Sequence, residues 1–142
     1  MKTSARNQFS GVIKEVIIGA VNAEVVVELN ESESIVAAVT KESVESLGIK
    51  PGISAIALVK APQIIVVSDF EGYKISARNQ LSCKISEIIP GAVNSEIDIE
   101  TKGGQKITAT VTIDSVASLG LQTGQTVTAV FKAGTVLLAI PA

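Results

Sequence analysis

Between Gln8 and Ile18, Phe9, Gly11, Ile13 and Ile17 fall on one phase of a period-two pattern, and Val12, Val16 and Ile18 on the other. The alternation is weak and the β-branched content high, which predicts one long strand buried on both faces for part of its length. Gly19-Ala20-Val21-Asn22 supplies a turn. Glu24 to Leu29 alternates cleanly, with Val25, Val27 and Leu29 set against Glu24, Val26 and Glu28. A polar turn over Asn30 to Glu33 leads to a third strand, Ile35 to Val39. Thr40-Lys41-Glu42-Ser43 then breaks the pattern and predicts a short helix, N-capped by Thr40 and ended by Gly48. Pro51-Gly52 turns the chain into a strand over Ser54 to Val59. Ala61-Pro62 interrupts it, and Ile64 to Val67 forms the last strand. Five short strands with one helix between the third and fourth is the order of a small OB-like barrel.

The same order then recurs. Ser4-Ala5-Arg6-Asn7-Gln8 returns as Ser76-Ala77-Arg78-Asn79-Gln80, and aligning Ser4–Ser68 with Ser76–Ile140 without a gap gives 28 identities in 65 pairs. A repeat of this length marks one structural unit used twice. The fold expected is all-β: two tandem OB-like five-stranded barrels, each with one short helix. Their boundaries are 1–70 and 71–142, joined by a short segment, Ser68 to Ile75, that is not disordered by composition. Units this small are marginal alone and gain stability by packing against one another or against other chains.

Composition narrows what such a pair can do. The chain is 46% hydrophobic, yet no stretch reaches the eighteen or so uncharged apolar residues of a membrane span. High apolar content in strand-length pieces points to extensive burial, subunit interfaces included. The N-terminus runs straight into the repeat with no apolar signal region, and the single Cys83 replaces Gly11 of the first copy. Both features lead us to expect a cytoplasmic protein without disulfides. Net charge is −2, with no basic clustering, no tryptophan and 3% aromatics, which disfavours nucleic acid. Absence of histidine removes the commonest general base and transition-metal ligand.

An enzyme is therefore not expected: there is no Ser-His or Cys-His pair, no GxGxxG and no Walker loop. The repeated acids Glu24 and Glu28 read as a solvated strand face. The repeated donors read differently. Arg6, Lys60, the hydroxyls of Ser4, Thr40 and Ser43, and free N–H groups at the helix start are all suited to an anion. Gathered together they would make a small oxyanion pocket with no carboxylate among its members. The same residues read equally as surface cations and a simple helix cap, and the residues alone leave both readings open.

SARNQ before the first strand, GAVN after it, T-x-x-S followed by SLG, and KAP or KAG before the last strand resemble the molybdate-binding Mop (TOBE-like) domain. Two such units in tandem are similar to the di-domain molbindins. The resemblance implies OB-type barrels that assemble with strand exchange, typically into homotrimers. It also implies sites for molybdate, and for its near-isostere tungstate, between units, with no cofactor, metal site, nucleic acid or membrane involved. By position, one set of site residues is Ser4, Arg6, Thr40, Ser43, Lys60 and Ala61, and its counterpart is Ser76, Arg78, Thr112, Ser115, Lys132 and Ala133. A second type of site is assigned to Gly19, Ala20, Val21 and Asn22, and to Gly91, Ala92, Val93 and Asn94. No helix-turn-helix or ATPase region accompanies the units here, so the resemblance implies a free-standing binder in molybdenum homeostasis. Replacements between copies, Pro62 by Gly134, Ile18 by Pro90 and Lys41 by Ile113, leave open whether the units bind equally. A purely structural oligomer and an OB-type nucleic-acid-binding module remain the rival readings.

Overall fold

A computed structural model describes all 142 residues. The first repeat forms β1 (Asn7–Ile18), β2 (Asn22–Glu28), β3 (Ser34–Thr40), α1 (Lys41–Leu47), β4 (Ser54–Val59) and β5 (Ile65–Val67). The second forms β6 (Asn79–Pro90), β7 (Asn94–Thr101), β8 (Lys106–Thr112), α2 (Ile113–Leu119), β9 (Thr126–Phe131) and β10 (Leu137–Ala139). The break at Ala61-Pro62 is a 3₁₀ turn, Ala61–Gln63, matched by Ala133–Thr135. The all-β reading, with two five-stranded curled sheets and one short helix in each repeat, holds.

Each helix is short because its ends are fixed by single residues. Thr40 accepts the Ser43 N–H at 3.0 Å, and Gly48 leaves the helix at a φ of 66°, a left-handed conformation that costs glycine nothing. Thr112 and Gly120 do the same for α2.

The strands do not stay within their repeats. One sheet runs β10-β4-β1-β2-β3 and the other β5-β9-β6-β7-β8, so each is completed by the last strand of the other repeat. β10 lies antiparallel to β4, with Leu138 opposite Ala57, and β5 lies antiparallel to β9, with Val66 opposite Ala129. The compact units are accordingly Met1–Asn7 with Lys60–Phe131, and Gln8–Val59 with Lys132–Ala142. The boundary near residue 70 divides the repeats but does not divide the compact units. The physical reason is that the closing strands are short and their sequences near-equivalent, so either can fill the edge beside β4 or β9.

In the unit built on Gln8–Val59, Ile13, Ala23, Val25, Val27, Val44, Ile49 and Ala55 form the core, and Leu138 and Ile140 of the second repeat pack against it. In the other unit, Ile85, Ile97, Ile99, Ile107, Val127 and Phe131 are buried, as are Ile64 and Val66 of the first repeat. β1 departs from expectation. The register with β2 jumps between Ile13 and Glu15, a bulge at Lys14 that reverses the phase of the pleat. Val16 thereby turns toward the core while Ile17 and Ile18 are exposed, as is Val12. Burial on both faces is not what mixes the two phases; the bulge is.

Gly11 is a site where the repeats cannot be interchanged. A Cβ there would lie 2.3 Å from the Glu28 carbonyl oxygen, whereas the matching Cys83 is accommodated and buried. Gly11→Ala is therefore expected to cost about 1–3 kcal/mol of stability through overpacking against backbone. Gly134→Ala, with nothing within 4 Å of its Cβ, is expected to be near neutral. Urea unfolding of the two variants side by side checks this.

Candidate functional site

The GAVN loops and the helix starts form one corner in each unit. Asn22 pairs with Thr40 across β2 and β3, and Asn94 with Thr112 across β7 and β8. Each loop is closed by a Gly N–H donating to the Asn carbonyl, at 2.8 Å for Gly19 and 2.9 Å for Gly91. A side chain at either glycine would collide with that carbonyl, at 2.9 and 2.6 Å respectively. The loop then folds back on the helix: Lys41 N–H donates to the Val21 carbonyl at 2.9 Å, and Ile113 N–H to the Val93 carbonyl at 3.1 Å.

This narrows the expectation of free N–H groups at the helix start. The first helical N–H is taken by the GAVN carbonyl and the third by the Thr40 or Thr112 cap. The hydroxyls remain as donors. Thr40 and Ser43 oxygens lie 2.8 Å apart, and so do those of Thr112 and Ser115. Two hydroxyls carry two protons, one consumed within the pair, so each pair keeps one O–H to donate outward.

Strand exchange decides which candidate residues share a unit. Ser4, Arg6, Lys60 and Ala61 lie in the same compact unit as Ser76, Arg78, Gly91 to Asn94, Thr112 and Ser115. Gly19 to Asn22, Thr40 and Ser43 lie with Lys132 and Ala133. The turn that carries Ala61 packs on β8, which ends at Thr112, and the turn that carries Ala133 packs on β3, which ends at Thr40. The set Ser4, Arg6, Thr40, Ser43, Lys60, Ala61 is thus not gathered in one unit; the helix start of each repeat is partnered by the lysine turn of the other. In the first of these units, Pro62, Ile64, Asn94, Thr112 and Ser115 line an open groove of about 380 Å³. Ala61 and Ala133 have buried side chains, so each offers a ligand only its backbone.

A carboxylate nevertheless faces one of these donors. Arg6 Nη1 donates to Glu96 Oε1 at 2.7 Å, and the two side chains are 55% and 25% exposed. Asn7, which follows Arg6, is buried. Its side-chain amide donates to the Thr108 carbonyl at 2.9 Å and its oxygen accepts the Thr108 N–H at 2.7 Å, so it fastens the N-terminal segment to β8. The Thr108 hydroxyl in turn donates to Asp98 Oδ1 at 3.3 Å. Glu96 and Asp98 stand two residues apart on β7 and share one face.

The electrostatics follow. The hydrogen bond from Arg6 holds the Glu96 carboxyl below its ordinary range, against partial desolvation. Burial pushes Asp98 up, and its hydrogen bond with Glu96 pushes it further. The guanidinium of Arg6 is held above its ordinary value by Glu96. The two acids therefore act on stability in opposite senses. Glu96 contributes above the ordinary carboxylate range and loses that contribution as pH falls through its lowered value. Asp98 costs stability once it ionises, and the cost disappears as pH falls below its raised value. Asn7, Glu96 and Asp98 were not legible as site residues; Asn7 stood inside the repeated SARNQ, and Glu96 repeats Glu24, but an outward strand phase reads as a solvated face.

No cluster of three His, Cys, Asp or Glu is placed to hold a metal ion, and no helix is long and apolar enough to cross a membrane.

Comparison with known proteins places this arrangement. The sequence profile of the TOBE domain matches residues 3–66 and again 75–138. A solved structure described as the cytoplasmic molybdate-binding protein ModG, with molybdate bound, superimposes with a TM-score of 0.96 at 44% identity. That match covers 99% of this chain and 100% of ModG. Among curated relatives, the molybdenum transport protein ModE of Herbaspirillum seropedicae is 43% identical over 140 residues. The molybdenum-pterin-binding protein MopA of Rhodobacter capsulatus is 38% identical over 141 residues. Each of these two alignments takes in 99% of this chain, which spans about half the length of these curated relatives, 52% and 53%. With the profile matched twice across nearly its whole length, the chain belongs to the TOBE-domain family, as a tandem pair of Mop-type units.

Proposed function

We propose that this chain binds molybdate noncovalently and serves cytoplasmic molybdenum storage, buffering or homeostasis, with no catalytic role. The observation that carries the reading is the end-to-end match to ModG, whose structure holds molybdate. The site chemistry supports it. A tetrahedral dianion needs several neutral and cationic donors, and each unit offers a hydroxyl pair beside a lysine-bearing turn. Hydrogen bonds to a charged group contribute about 1.5–3 kcal/mol each. The first type of site draws on Arg6, Ser4, Lys60, Ala61, Thr112 and Ser115 in one unit. Thr40, Ser43, Lys132 and Ala133 serve in the other; Ser76 and Arg78, the second copies of Ser4 and Arg6, lie in the same unit as those two. The GAVN loops, Gly19 to Asn22 and Gly91 to Asn94, form the second type.

Several chains complete these sites. Val21 and Val93 are each 72% exposed, and Ile17, Ile18, Ile89 and Leu137 are exposed as well. Apolar side chains uncovered beside a polar corner suit a subunit contact, and the assembly is a homotrimer. Tungstate, of nearly the same size and charge, binds with molybdate. Sulfate carries the same charge but is smaller, so it leaves donors unpaired, which is costly in a desolvated site.

Equilibrium dialysis against molybdate with sulfate in excess, read by elemental analysis, tests the reading. More than one molybdenum per chain is expected, and no retention would sink the proposal in favour of a structural oligomer. Arg6→Ala and Ser115→Ala are each expected to lower the molybdenum retained while leaving the thermal midpoint of the anion-free protein within a few degrees of the parent. Unchanged stoichiometry in both would remove these residues from the site.

A further inference from the structure

Arg6 is a candidate ligand whose charge is already engaged by a carboxylate at 2.7 Å, and the surroundings of that carboxylate are built rather than incidental. Asn7 fixes the segment on β8 through both backbone groups of Thr108, which leaves Arg6 over the face of β7 that carries Glu96 and Asp98. Asp98 is held by the Thr108 hydroxyl. We propose that Glu96 and Asp98 compete with the bound oxyanion for Arg6, so that anion binding at this arginine is coupled to proton uptake by the carboxylate pair. The proposal rests on the oxyanion reading above and adds to it the residues that set affinity and pH response.

The charges facing the pair fix the sign. Arg6 approaches from the N-terminal segment, Glu87 lies opposite Asp98 on β6, and Thr108 and Thr110 lie opposite on β8. Glu100 follows on β7 with Lys84 and Lys106 across from it, the basic groups nearest along the sheet besides Arg6. With both acids ionised, Arg6, Glu96 and Asp98 together carry a net negative charge, which repels a dianion and leaves the guanidinium engaged. One proton on Asp98 makes the group neutral and gives Asp98 an O–H to donate to Glu96. A second, on Glu96, frees the guanidinium. Burial and the Glu96 contact favour the first of these steps by raising Asp98 above the ordinary range. Each step favours the oxyanion, so binding tightens as pH falls. The other repeat is not equipped in the same way: β2 carries Val26 at the position matching Asp98. The carboxylate pair therefore belongs to β7 alone, and with it the first protonation step, which makes the two repeats unequal.

The test is calorimetric titration of the full chain with molybdate, at mildly acidic and at neutral pH where molybdate itself stays a dianion, in two buffers of different ionisation heat. The parent chain is expected to take up a fraction of a proton per anion and to bind more weakly at the higher pH. Asp98→Val, which installs the residue of the first repeat, and Glu96→Gln are expected to flatten the pH dependence and to tighten binding at the higher pH about two- to fivefold, the scale of an exposed ion pair. Binding with unchanged proton uptake and pH slope in both variants overturns the competition alone. Failure of the parent chain to bind at any pH overturns the oxyanion reading and the competition together. A third readout needs no anion: in Arg6→Ala, carboxyl-carbon NMR should show Glu96 titrating higher than in the parent, and an unmoved Glu96 also overturns the proposal.

Discussion

Truncation after Gly134 is expected to unfold the unit made mostly of the first repeat. The deletion removes β10, with its pairing to β4, and the side chains of Val136, Leu138 and Ile140. Val136 is buried, and Leu138 and Ile140 pack against the core of Ile13, Val25, Val27 and Val44. Burying one such side chain contributes about 1.5–3 kcal/mol. Loss of three, together with an open edge at β4, approaches the whole stability of a small domain, about 5–15 kcal/mol. Hydrogen exchange should then show amides of Gln8–Val59 losing protection while those of β6 to β8 keep theirs. Two domains cut at residue 70 make the opposite forecast, since the deletion would then damage only residues 71–142. Loss of protection confined to the second repeat would overturn the exchanged topology.

Phe131→Ala, a few residues earlier in the chain, is expected to strike the other unit. Phe131 ends β9 opposite Asn79, is fully buried, and is the largest core side chain of the unit built on Lys60–Phe131. The first repeat has Val59 at the matching position and places its own large aromatic at Phe9, where the second has Leu81. Each unit thus draws on one phenylalanine, from a different strand, and neighbouring strands cannot move enough to close the space that a lost ring leaves. The cost is about 3–5 kcal/mol. Urea unfolding should show a lowered midpoint, with protection lost first in β6 to β9. A change below about 1 kcal/mol would mean that the core collapses around the missing ring. Two changes near residue 135 are therefore expected to unfold two different bodies.

The candidate site divides along a similar line. The helix cap at Thr40 and Ser43 was legible because the signal is local: a hydroxyl, a short apolar stripe and a terminal glycine lie within nine residues. The fate of the helix N–H groups was not, because Val21 and Val93 close on them from a different loop. Glu96 lies 90 residues from Arg6 in sequence, and nothing near either residue foretells their contact. Likewise the bulge at Lys14 left its trace only as a weak alternation, which read as burial on both faces.

The amino-acid sequence by itself determined the element order, the 72-residue repeat and the family, because these rest on local periodicity, capping chemistry and a motif that occurs twice. The tertiary structure alone decided which closing strand joins which sheet, and with it which helix start meets which lysine turn. The reason is degeneracy. β5 and β10 are three-residue apolar strands of similar character, and main-chain hydrogen bonds do not distinguish one such strand from another. Which one lies beside β4 is settled by the packing of Leu138 and Ile140 on a core whose other members lie more than eighty residues away along the chain.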